Sequence, residues 1–388
     1  MNGKDIIEED KQYIAGTYAR FPVAFREGKG CRLYDYDGKE YVDCGSGIAV
    51  NIFGVNDEEW KKAVTDQLGC VQHTSNLFYT EPQAKLAKLM CEKTGAKKVF
   101  FGNSGAEANE CAIKVARKYG ETRYGASRKK IITLKDSFHG RTLATLAATG
   151  QDAFHKYYDP FPAGFVYAEP DLKGVLNCVD GDTCAIMIEC IQGESGVNVL
   201  DGQFVKEIEK ICKERDILFI CDEVQTGNGR TGYLYAYEAF GVHPDIVTTA
   251  KGLGGGLPIG ACMLFENCAD VFGYGDHGST FGGNPVVCAG AYSILSRIDD
   301  KLLAEVRRKG EYFKEKLAAI KGVKNVSGMG LMIGLETEKP AAEIAKKCID
   351  KGLLVLTAHS KVRLLPPLSI SKDEMDFAVR ILSEVISQ

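Results

Sequence analysis

Through the middle of the chain, short apolar runs alternate with longer stretches in which apolar residues recur at helical spacing. The runs at 99–101, 131–134, 185–191, 217–221 and 246–249 each stop at polar or glycine-rich residues and read as buried strands. Between them lie amphipathic patterns such as Phe204, Ile208, Ile211 and Cys212, spaced by four, three and one. Strands alternating with helices predict an α/β fold with a mostly parallel central sheet. Sheets of that kind bind ligands beyond the carboxyl ends of their strands, so the residues that follow each run are where chemistry is sought.

The two ends of the chain read differently. Residues 31–43, CRLYDYDGKEYVD, alternate around Asp37-Gly38 as a hairpin does. The C-terminal third mixes helices with short strands near 328–335 and 362–365. Both ends are expected to build a second, smaller α/β domain: residues 1–58 and 276–388 around a large domain at 59–275.

Composition narrows the class. The chain has 388 residues, 45% hydrophobic and 26% charged, enough to bury a sizeable core. A net charge of −4 with interspersed signs lacks the basic stripe of a nucleic-acid binder. No apolar run approaches the roughly 18 residues of a membrane span, and MNGKDIIEEDK is charged where a signal peptide is apolar. A cytoplasmic protein is expected. The 14 cysteines form no C-x-x-C pair, which gives no support to a zinc or dithiol site. Several sit inside apolar runs, where a thiol acts as a small hydrophobe, and so many suit a reducing compartment. No metal site is expected.

Three segments carry candidate chemistry. In FFGNSGAEANECAIKVARKYG a helical stripe opens directly after a strand, with Ser104 and Glu107 at capping-box spacing. Its mouth, Ser104-Gly105-Ala106, suits an anion, and equally suits a well-capped helix with no ligand. In ILFICDEVQTGNGRTG a strand ends at Asp222-Glu223. A magnesium-binding strand needs a phosphate-loop partner that the chain lacks. Gly227, Gly229 and Gly232 spell a dinucleotide fingerprint, but a poor helix start follows and Asp245 comes too early for the ribose acid. The remaining reading is an acid that pairs with a heterocyclic nitrogen. In IVTTAKGLGGGLPIG a strand leads into Lys251 beside a glycine run, either a desolvated amine or an exposed loop lysine. An anion-binding helix mouth, a strand-end carboxylate and a strand-end amine together meet the needs of pyridoxal 5'-phosphate.

With these segments the chain resembles the class III pyridoxal-phosphate aminotransferases. The resemblance spans nearly the whole length, through YARFPVAF, GIAVN, HTSNLFYTEPQAKLA, FFGNSGAEANE, DSFHGRT, IQGESGV, CDEVQTGNGRTG, TAKGLGGGLPIGA, HGSTFGGNP and VRLLPP. HTSNLFYTEPQAKLA and YARFPV are most similar to the acetylornithine branch. The resemblance implies the type I fold of these enzymes and a role for each matching position. Lys251 carries the cofactor as a Schiff base and shuttles the proton. Asp222 pairs with the pyridine nitrogen, and Glu223, Val224 and Gln225 contribute to cofactor binding, Gln225 near the phenolic oxygen. Ser104, Gly105 and Ala106 hold the phosphate, and Phe138 stacks on the ring. Thr280 reaches the phosphate of a neighbouring subunit, which implies a homodimer with shared active sites. Arg141 grips the substrate α-carboxylate, with Ser279 and Tyr18 at the substrate entrance. Glu194 neutralises Arg363 while the long amine reacts, then releases it to the second carboxylate of 2-oxoglutarate or glutamate. His139 and His73 are expected to be structural.

The implied activity is ping-pong amino transfer between N-acetylornithine and 2-oxoglutarate, in arginine biosynthesis. Rivals with the same cofactor are ornithine, 4-aminobutyrate and succinylated-diamine aminotransferases. More distant ones are a pyridoxal-phosphate aminomutase and a nicotinamide oxidoreductase. Two departures from the family pattern stand out: Cys190 follows Glu189 where a proline is usual, and GVNDEEW replaces GH-x-HP around Asn56.

Overall fold

In the computed structural model, which describes residues 2–387, the apolar runs become the centre of a seven-stranded sheet. Its strands are β1 (Lys98–Gly102), β2 (Lys130–Leu134), β3 (Phe165–Ala168), β4 (Thr183–Ile188), β5 (Leu218–Asp222), β6 (Ile246–Thr249) and β7 (Gly260–Leu264). They lie in the order β1-β7-β6-β5-β4-β2-β3, and only β7 runs against its neighbours. Strand β4 is buried along its whole length, as a strand covered on both faces must be. The thiols of Cys184, Cys190 and Cys221 are fully buried in this layer, as small apolar groups.

Two smaller sheets flank it. One joins Phe25–Lys29, Arg32–Asp35 and Glu40–Asp43 to Leu353–Leu354, with Leu353 opposite Val42, so both chain ends share one sheet. The other is antiparallel and contains β8 (Val323–Met329), β9 (Met332–Thr337), β10 (Leu356–Ala358) and β11 (Lys361–Leu364), ordered β8-β9-β11-β10. The Pro285–Ser296 helix packs on the Glu58–Leu68 and Glu81–Thr94 helices of the large part, because Val287, Cys288, Ala291, Ile294 and Leu295 bury their side chains in the main core.

No helix among the described residues is long and apolar enough to cross a membrane.

Candidate active site

The parallel strands deliver their carboxyl ends to one edge of the sheet, and a cavity of about 450 Å³ opens there. Asp222 ends β5 directly opposite Thr248 of β6, so Asp222 and the Ala250-Lys251 step that follows β6 lie side by side. Gly102, which ends β1, faces Gly260 of β7 and leads into Ser104. Phe138 and Glu189 follow β2 and β4 into the same space.

Asp222 is buried, with 4% of its surface exposed. Its Oδ2 accepts the Asn109 amide at 2.8 Å and lies 2.8 Å from His139 Nδ1, while its Oδ1 accepts Val224 N–H at 3.0 Å. Asn109 is itself oriented by donating to the His139 carbonyl and accepting from Thr248 Oγ1. Burial pulls the His139 imidazole down, but the hydrogen bond and charge of Asp222 outweigh it and hold the ring above its ordinary value. His139 is therefore a partner of the carboxylate, with its Nε2 buried and unbonded.

Lys251 opens a single 3-10 turn, Lys251–Leu253, with φ at +43°. A left-handed non-glycine residue is costly, and such strain concentrates at working sites. Its amine faces the cavity, and no hydrogen bond to it exists among the described residues. Desolvation lowers its pKa against the opposing pull of Glu194, which favours the neutral, nucleophilic amine.

At the opposite wall the Gly105–Tyr124 helix points its N-terminus inward. Ser104 caps it by accepting Glu107 N–H at 3.2 Å. The Glu107 carboxylate reaches back one residue beyond the expected capping box, to Asn103 N–H at 2.7 Å. The first-turn N–H groups of Gly105 and Ala106 have no partner within a helix and line the cavity. Gly105 is required here, since a Cβ would stand 2.6 Å from Val224 Cγ1.

Arg363, Glu194 and Gln225 form a third group. Arg363 is 3% exposed, and its Nη1 donates to Glu194 Oε1 at 2.7 Å, Gln225 Oε1 at 2.9 Å and the Gly193 carbonyl at 3.2 Å. Gln225 Nε2 donates to the same Glu194 oxygen at 3.1 Å. Burial raises the Glu194 carboxyl, but Arg363 more than offsets this and leaves it below its ordinary value. Arg141 stands at the cavity mouth, stacked over Phe154 at 4.1 Å, with no carboxylate partner among the described residues.

Other expected residues lie elsewhere. Glu223 does not line the cavity. Neighbouring strand residues face opposite ways, so Glu223 turns inward and accepts Ala236 and Tyr237 N–H at 2.9 and 2.8 Å. Tyr18 is 72% exposed and lines a separate cavity with Gly47 and Asn51. Ser279 Oγ accepts the Asn103 amide at 3.1 Å, beside the mouth, whereas Thr280 is exposed in a cleft with His73 and Asn76. Residues absent from the expected set are Asn109 and Glu189. Glu189 is buried and accepts Phe138 N–H at 2.9 Å, with its carboxyl pushed up to about 7 by burial. Nothing local in the sequence separates Asn109 from the rest of its helical stripe.

The profile of the family described as aminotransferase class-III matches residues 13–386. The chain belongs to the class-III aminotransferases. It is 49% identical over 392 residues to the acetylornithine aminotransferase of Haemophilus ducreyi, covering 100% of both chains. It is 47% identical to that of Caldanaerobacter subterraneus, covering 99% of both. Among solved structures, an ornithine aminotransferase from Toxoplasma gondii described with PLP at its active site superposes with a TM-score of 0.94. That likeness covers 99% of this chain and 94% of the other, at 31% identity.

The cofactor of this aminotransferase is pyridoxal phosphate, and the donor set fits it. The free N–H groups at the helix mouth suit its phosphate, Asp222 suits a protonated ring nitrogen, and the desolvated Lys251 amine suits its aldehyde. Bound there, pyridoxal phosphate supplies the electron sink and carries the amino group between substrates.

Proposed function

We propose that this aminotransferase exchanges an amino group between N-acetylornithine and 2-oxoglutarate, forming N-acetylornithine from its semialdehyde with glutamate as donor in the biosynthetic direction. The observation that carries the reading is the Glu194–Gln225–Arg363 group beside the cavity. A two-substrate transaminase must accept one substrate with a single free carboxylate and another with two. Arg141 is free to grip the carboxylate common to both. While Glu194 covers Arg363, the long acylated amine meets no unpaired buried cation. When Glu194 withdraws, Arg363 takes the second carboxylate of the dicarboxylate. Lys251 Nζ, whose pKa burial lowers, takes the proton from the reacting substrate carbon and returns it on the other side of the transfer. Asp222 holds a proton on the ring nitrogen, backed by Asn109 and His139. Val224 and Phe138 line the cavity and would flank the cofactor ring. The curated relatives that match along the full chain bear the acetylornithine name, which favours the acylated amine over free ornithine.

The proposed enzyme is a cytoplasmic homodimer whose active sites are shared. Leu77, Phe78, Tyr79 and Phe281 expose 86, 66, 104 and 60% of their surfaces around Thr280. Asn76 ties the two segments together by donating to the Ser279 and Gly282 carbonyls at 3.1 and 2.8 Å. Large apolar side chains exposed on two linked segments favour an association surface. Thr280, next to Phe281 in sequence, would reach the cofactor phosphate of a second copy. Light scattering of the purified enzyme is expected to give a dimer mass, and Thr280→Ala to lose cofactor more readily on dialysis.

Single-turnover absorbance with N-acetylornithine, ornithine and 4-aminobutyrate tests the substrate. N-acetylornithine is expected to react fastest, and faster transfer from either of the others overturns the reading.

A further inference from the structure

The turn that carries Gly227, Gly229 and Gly232 has no part in the chemistry above, yet it touches both the approach to Lys251 and the strands around Arg363. It continues from Asp222 and Gln225. Within it, Asn228 Nδ2 donates to Thr249 Oγ1 at 3.0 Å and to the Ala250 carbonyl at 3.3 Å, immediately before Lys251. On its far side Arg230 is fully buried, the largest side chain in that condition. Arg230 Nη1 donates to the Leu331 and Pro366 carbonyls, and the Arg230 carbonyl accepts Leu331 N–H at 3.0 Å.

Those two carbonyls flank the strands that hold Arg363. Leu331 precedes β9, whose Gly334 pairs with Arg363, and Pro366 closely follows β11, which contains Arg363. One guanidinium therefore fastens both strands to the turn that orders the Lys251 approach. The junction is tight. A Cβ on Gly330 would stand 2.5 Å from the Thr231 carbonyl carbon, and Gly330 itself has φ of +55°.

Arg230 is an expensive choice for such a fastener. Its Nε and Nη2 have no hydrogen-bond partner, and it forms no ion pair among the described residues. Burial lowers its pKa to about 9, opposed only by the charge of Asp43. A buried cation without a carboxylate contact is poor evidence of a stability role. A single guanidinium nitrogen, Nη1, that bridges two carbonyls at the end of a planar, buried side chain is, however, well suited to setting a distance.

We propose that Arg230 is a positioning residue that sets where Arg363 stands relative to Lys251, and so sets the length of dicarboxylate the site accepts. This rests on the reading that Arg363 receives the second carboxylate. The experiment is calorimetric titration of the holoenzyme with succinate, glutarate and adipate, which bind without reacting, and with pentanoate as the one-carboxylate control. Arg230→Met is expected to weaken glutarate on the order of tenfold, the worth of one charge-assisted hydrogen bond. It should flatten the preference among the three lengths, leave pentanoate unchanged, and raise the KM for 2-oxoglutarate more than it lowers kcat. Arg230→Lys, which keeps one cationic nitrogen donor on a shorter, non-planar side chain, should recover part of the length preference. If Arg230→Met does not fold, the lysine variant carries the same comparison. Equal loss for glutarate and pentanoate, or an unchanged length preference, overturns the proposal. Arg363→Gln run alongside separates the two claims. If that variant keeps the advantage of glutarate over pentanoate, the reading of Arg363 itself fails.

Discussion

Arg363 and Glu194 meet as an ion pair at 2.7 Å although 169 positions separate them in the chain. Arg363 is almost wholly buried, while the Glu194 side chain keeps 29% of its surface exposed. The carboxylate is thus the partner free to move, and the guanidinium the one that stays. Gln225 and the Gly193 carbonyl retain hydrogen bonds to Arg363 when Glu194 leaves, which softens the roughly 3–5 kcal/mol cost of stripping a buried charge of its partner. Glu194→Ala is therefore expected to fold, to speed the glutamate half-reaction relative to the N-acetylornithine half-reaction, and to weaken discrimination between them. Stopped-flow absorbance of each half-reaction measures the ratio. An unchanged ratio means a static pair.

The pairing of His139 with Asp222 predicts a pH signature. The folded pKa of His139 lies above its ordinary 6.5, so its contribution to stability is complete below 6.5 and is lost as pH rises through the folded value. Asp222→Asn removes the cause of that rise and leaves burial, which lowers the pKa. The contribution then reverses and is lost as pH falls. Glu189, raised from 4.5 to about 7 chiefly by burial, adds a loss of stability as pH rises over that interval, and Asp222→Asn leaves that burial in place while removing the smaller push from the Asp222 charge. Apoenzyme Tm between about pH 5 and pH 8 should accordingly fall more steeply with pH in the wild type than in Asp222→Asn. A direct NMR titration of the imidazole assigns the difference to His139.

Lys251 is expected to be the covalent attachment point. Lys251→Ala should still fold and bind pyridoxal phosphate through the helix mouth and Asp222. It should retain no cofactor after borohydride treatment and denaturation, whereas the wild type retains it. Turnover should fall by at least the roughly hundredfold worth of a positioned proton carrier. Cofactor that remains covalently trapped in the variant points to another amine.

Gly105 tests the helix mouth. Gly→Ala in a helix normally gains up to about 1 kcal/mol, but here the new Cβ meets Val224 Cγ1 at 2.6 Å. Gly105→Ala is expected to bind the cofactor several-fold more weakly, through displacement of Val224 or of the first-turn N–H groups. Adding Val224→Ala should restore affinity. Fluorescence titration of apoenzyme with pyridoxal phosphate measures both, and a double variant no better than the single removes the steric argument.

Periodicity along the chain was enough to determine the alternation of strands and helices, because burial on both faces of a parallel strand leaves an unbroken apolar run. It also determined that Ser104, Asp222 and Lys251 stand at the ends of such runs, since those positions are local to each motif. Only the tertiary structure decided which of Asp222 and Glu223 faces the cavity, because strand pleating sends neighbours to opposite sides and both are acids. It alone joined Gln225 to Arg363 across 138 positions and Asn109 to Asp222 across 113. The same holds for the Pro285–Ser296 helix, whose apolar face fits either domain until its partners are in place. Arg230 is the clearest case. In the sequence it is one polar residue within a glycine run, and its burial between Leu331 and Pro366 follows from the packing of three distant segments.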